Sequence, residues 1–117
     1  MYPKFIVLQD LQGHTEIRFG LVEFHSDLIE PTDKKHAKKC IGGGLIEIVD
    51  GRSEVWYYGS STDFGKVDDN ILNNIKLTSD NYFQLNKLDK EYFQKNVDYF
   101  KKENKDFSKY KFVVKNW

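Results

Sequence analysis

Asp50-Gly51 constrains this chain more than any other pair of residues, because a turn of that composition tolerates the backbone angles that join two antiparallel strands. It stands between residues 40–49 and 53–58, two segments rich in β-branched, aliphatic and aromatic side chains, and together they predict a hairpin. A hairpin needs further strands to be stable, and the sequence offers them. Phe5-Ile6-Val7-Leu8 is a short continuous apolar run, so residues 4–9 read as a strand covered on both faces. After a turn at Gly13, the residues Thr15, Ile17, Phe19, Val22 and Phe24 favour extended chain with a break at Gly20. Residues 111–114 read as a last strand.

Between these strands the sequence predicts short helices. Ser26, Asp27, Leu28 and Ile29 begin one with a polar start, and Pro31 is expected to stop or kink it. Thr32 is placed to cap a second through Lys39. Ile71, Leu72 and Ile75 are spaced for one helical face. In residues 89–103, Tyr92, Phe93, Val97 and Phe100 follow Leu88 on one side of a 3.6-residue period, with Asn86 and Asp89 as a capping arrangement. The expected fold class is α+β: a single domain over residues 1–117, built as a mixed β-sheet with helices packed on it. Nine Phe and seven Tyr supply enough area for one core in 117 residues.

Charge and cysteine content narrow the partners. Lys plus Arg and Asp plus Glu both number 18, so no net field favours nucleic acid or an anionic membrane. The basic run from Lys34 to Lys39, with His36 inside it, is read as a solvated segment. Cys40 is the single cysteine, which excludes an internal disulfide and fits a reducing, cytoplasmic setting. His14, His25, His36 and Cys40 lack the spacing of a metal site, so none is expected, nor any cofactor. The sequence leaves oligomeric state open.

Three features carry chemistry. His25 lies at a strand-to-helix junction, Gly42-Gly43-Gly44 opens the 40–49 strand, and Gly59-Ser60-Ser61-Thr62-Asp63 forms a loop after the next. Glycine triplets permit bulges or close packing more often than they bind phosphate, and such loops are usually only turns. Taken together, however, a helix start and a glycine- and serine-rich loop both present backbone N–H groups to an oxyanion, and a phosphoryl group is the natural ligand. A histidine, whose side chain ordinarily titrates near neutrality, is suited there to act as nucleophile or general base. Lys4, at the start of the first strand, is a source of fixed positive charge.

The order of four segments resembles the phosphohistidine phosphatase (Janus/Ocnus) family: Pro3-Lys4-Phe5-Ile6-Val7, Phe24-His25-Ser26-Asp27-Leu28, Cys40-Ile41-Gly42-Gly43-Gly44, and Tyr58-Gly59-Ser60-Ser61-Thr62-Asp63-Phe64-Gly65. The resemblance covers residues 4–65. It implies a metal-independent phosphatase acting on the P–N bond of a phosphohistidine-containing protein or a small phosphoramidate. Carried over, His25 and Lys4 are the catalytic residues, Ser61 is a side-chain phosphate donor, and the N–H groups of His25, Ser26 and Asp63 complete the phosphate cradle.

The chain departs from the family's pattern at two of these places. Leu45 stands where characterised animal members have an arginine, and Asp63 puts a carboxylate where a small residue is expected; both changes weaken attraction for phosphate. A catalytically weak phosphate- or phosphoprotein-binding module is therefore the alternative on the same scaffold. A partner surface formed by the aromatic residues of 89–117 is a further one, against which core packing is the simpler use of the stripe.

Overall fold

The computed structural model describes residues 3–74 and 111–115. Five strands form one mixed sheet, β1 (Lys4–Gln9), β2 (Thr15–Gly20), β3 (Lys39–Val49), β4 (Glu54–Tyr58) and β5 (Lys111–Lys115), in the order β2-β1-β3-β4-β5. β1 pairs antiparallel with both β2 and β3, β3 antiparallel with β4, and β4 parallel with β5. The α+β class and the mixed sheet with short helices are as expected.

β1 is an interior strand, which explains its unbroken apolar run. Phe5, Ile6, Val7 and Leu8 are each no more than 1% exposed, so both of its faces are covered. Register partners share a face, and the side chains of a strand alternate. One face therefore gathers Phe5 and Val7 with Phe19, Ile17, Ile46 and Tyr57, with the Phe5 and Tyr57 rings edge to face at 5.3 Å. The opposite face carries Lys4 and Ile6 with Arg18 and Gly43. Beyond β4, the Lys115 ammonium lies 4.4 Å from the centre of the Trp56 ring and joins β5 to its neighbour.

The connections differ from expectation in instructive ways. The β3–β4 hairpin forms, but Asp50–Arg52 is a turn of 3-10 helix, and it is Ser53, at φ 50°, that takes the left-handed conformation. A second 3-10 turn covers His25–Leu28. Pro31 does not stop a helix but begins one: α1 (Pro31–Lys35) has it in the first turn, where a missing N–H costs nothing. That helix ends before Lys39 because Ala37 turns to φ 55°. α2 (Asp69–Asn74) contains the expected Ile71 and Leu72, and Leu72 is buried. Ile75 and the helix expected over 89–103 lie outside the described residues.

Candidate functional site

The segment that carries the candidate histidine is held at both ends. The extended Phe24 donates its N–H to Asp27 Oδ2 at 2.9 Å, and the N–H of Asp27 closes on the Phe24 carbonyl at 3.0 Å. The ladder of the turn begins with that second bond, so the N–H groups of His25 and Ser26 precede it and lie outside it. At the far end, Arg18 Nη1 donates to the Leu28 carbonyl at 3.2 Å.

The His25 ring is half-buried, with Nε2 2.9 Å from the carbonyl oxygen of Gly44. A carbonyl oxygen only accepts, so Nε2 carries the hydrogen, and in the neutral imidazole the lone pair is on Nδ1. Gly43 explains why the ring can reach β3 at all. A Cβ at that position would stand 2.5 Å from the Phe5 carbonyl oxygen, closer than a side chain permits, and 3.0 Å from His25 Cδ2, a tight contact to which the ring would have to yield. The glycine triplet thus serves close packing, and what it packs against includes the histidine.

The Ser61 loop is tied to the same strand. The Gly65 carbonyl accepts the N–H groups of both Gly43 and Ser61 at 3.1 Å, and the Gly65 N–H returns a 2.8 Å bond to Ser61. Ser61 is only 3% exposed, and its Oγ accepts the Phe64 N–H at 3.2 Å, which leaves its hydroxyl hydrogen to donate elsewhere. Lys4 is half-buried and donates from Nζ to the Val22 carbonyl at 2.9 Å, three residues before His25. Across the strand pair it stands opposite Leu45, the residue that follows the triplet.

Among the five predicted site residues, His25 and Ser61 are linked through consecutive glycines of β3, and Lys4 approaches the junction through Val22. Ser26 and Asp63 stand exposed on the turn and on the loop. Among the described residues no hydrogen bond runs directly between the side chains of Lys4, His25, Ser26, Ser61 and Asp63. No three His, Cys, Asp or Glu side chains among them gather in a way that could hold a metal ion, and no described helix is long and apolar enough to cross a membrane.

Three residues outside the predicted site, two of which the sequence gave no role, prove to shape the junction. Asp27 occupies the position from which a carboxylate reaches back to the start of a helical turn, and that spacing was a usable signal. Arg18 and Asp33 form a bidentate ion pair with both side chains 3% exposed. A charged residue between the buried Ile17 and Phe19 demands a partner, but fifteen positions separate it from Asp33, and spacing alone does not name the partner. Burial alone would raise the Asp33 carboxyl; the hydrogen bonds from Arg18 and the Glu30 N–H, with the charges of Arg18 and Lys38, outweigh it and hold the pKa below its ordinary value. A pocket of about 330 Å³, lined in part by Glu16, Glu30, His36 and Lys38, lies over this pair.

Residues 9–86 match the model of the Janus/Ocnus family (Ocnus). The matched segment contains the junction, the glycine triplet and the Ser61 loop; Lys4 lies outside it. No curated protein matches the chain.

Proposed function

The chain belongs to the Janus/Ocnus family, and from that premise we propose that it is a metal-independent phosphatase acting on phosphohistidine or related phosphoramidates, with His25 as general base or nucleophile. The observation that carries the reading is the state of the His25 ring: its Nε2–H is committed to the Gly44 carbonyl at 2.9 Å, so a neutral imidazole keeps a lone pair at Nδ1. A base or nucleophile needs that combination of a fixed ring and a free lone pair.

The chemistry can be written either way with atoms conserved. As general base, Nδ1 takes a proton from water while the water oxygen bonds to phosphorus, the P–N bond breaks, and the leaving nitrogen takes a proton from solvent, to which Nδ1 later returns its own. As nucleophile, Nδ1 itself bonds to phosphorus and expels the protonated amine or imidazole, and water then releases phosphate from His25. In both, the N–H groups of His25 and Ser26 outside the turn's ladder, the N–H of Asp63 and the Ser61 hydroxyl are the donors available to the phosphoryl oxygens. The Lys4 ammonium, with one of its three hydrogens on Val22, is the nearby cation.

A binding module without turnover is the second reading, favoured by Leu45 in place of an arginine and by the exposed carboxylate of Asp63. Phosphorus NMR of phosphoramidate incubated with the purified protein separates the two. Growth of the inorganic phosphate signal in proportion to protein, unaffected by a chelator, is the expected result. Line broadening of phosphoramidate with no phosphate formed would replace catalysis by binding.

A further inference from the structure

We propose that Arg18 is a positioning residue for His25: locked on Asp33, its guanidinium holds the Leu28 carbonyl and thereby sets where the imidazole stands. The inference rests on the function proposed above, but its geometry is independent of it.

A four-residue 3-10 turn has too few internal bonds, of too poor a geometry, to fix its own orientation. The His25–Leu28 turn is oriented by its ties to the rest of the fold, which are the His25 ring on the Gly44 carbonyl, the buried Leu28 side chain and, as the one tie to the turn's own backbone at its finish, Arg18 on the Leu28 carbonyl. Arg18 is itself held on several sides. It is set in β2 opposite Ile6 of β1, and its other N–H groups bond both Asp33 carboxylate oxygens and Glu16 Oε1, the last at 2.8 Å. Asp33 also accepts the Glu30 N–H at 2.7 Å, so the start of α1 is fastened to the same guanidinium. Both segments that follow the catalytic junction thus hang from one side chain rooted in the sheet.

Stability does not account for this arrangement. A buried ion pair is commonly no better than apolar residues of the same volume. Here Arg18 Nε is also buried without a hydrogen-bond partner among the described residues, which adds a cost. What an apolar pair cannot supply is a directed donor to Leu28. A displacement of about 1 Å at a reacting group can cost on the order of 10² in rate, so a tether three residues from His25 is close enough to matter.

The double variant Arg18→Met/Asp33→Leu removes both charges together and strands neither. Its thermal midpoint is expected to fall, because the Leu28 carbonyl and the Glu30 N–H lose their partners, but by less than that of either single variant, which leaves a charge buried and unpaired. The His25 ring signals, assigned among the three histidines by their loss in His25→Gln, should shift, and the Nε2–H should exchange faster with water. Turnover of phosphoramidate should fall about ten- to hundredfold in kcat with KM nearly unchanged. Should the double variant not fold, Arg18→Lys, which keeps the charge for Asp33 and loses the planar fork, is expected to give the same shift of His25 signals. A folded variant with unaltered His25 signals and exchange overturns the proposal. If the unmodified protein shows no turnover, the proposed function fails while the His25 signals still decide the positioning role.

Discussion

The two ring nitrogens of His25 are in different settings: Nε2 anchors the side chain to Gly44, and the proposed function assigns the chemistry to Nδ1. The proposed function divides the residues around it in the same way between holding and binding. Ser61 has some of each in that proposal, since its buried Oγ accepts the Phe64 N–H and the proposed function gives its hydrogen to phosphate. Ser61→Ala should lower stability by about 1 kcal/mol, the usual worth of such a bond, and lower turnover by less than His25 substitution does, because the backbone donors persist. Urea midpoints and phosphate release measure the two effects on one preparation. Asp63 is exposed on the same loop, and its carboxylate opposes an anionic ligand. Asp63→Asn should therefore tighten the binding of inorganic phosphate, read by calorimetry, and an unchanged or weaker affinity would place the phosphate elsewhere.

At the scale of elements, β3 positions the site and glycine allows it to. Gly43→Ala would drive a methyl group into the Phe5 carbonyl and the His25 ring, so it should cost about 1–3 kcal/mol and displace the imidazole as well. Loss of stability with unaltered His25 NMR signals would show that the strand yields on the Phe5 side instead. The strands themselves were legible because their signals are local: the apolar run at 5–8 matches β1, and Asp50-Gly51 announced the β3–β4 pair. The helices were less so. Pro31 was expected to end a helix and begins one, since proline is compatible with a first turn and incompatible only with an interior. The hairpin's left-handed residue is Ser53 and not Gly51, because the 3-10 turn over Asp50–Arg52 shifts the reversal by two positions.

For the whole molecule, the order β2-β1-β3-β4-β5 and the Arg18–Asp33 pair are long-range facts that no window of sequence contains. The residues of the site were readable as motifs, but their junction through Gly43, Gly44 and Gly65 required the sheet. The ion pair also gives the fold an acid limit. The Asp33 pKa is depressed in the folded chain, so its contribution to stability is full above the unfolded carboxyl value, about 3.9, and is lost as pH falls through the lower folded value. Thermal melts should therefore show Asp33→Asn less stable than the unmodified protein at pH 7, with the gap closing below about pH 4; a gap independent of pH would contradict that assignment. The most direct test of the account as a whole is turnover by His25→Gln, whose amide retains a donor for the Gly44 carbonyl but no basic nitrogen. Thermal stability near that of the unmodified protein with phosphoramidate hydrolysis reduced by at least about 10² is the predicted result, and hydrolysis at the unmodified rate would show that His25 is not the catalytic residue.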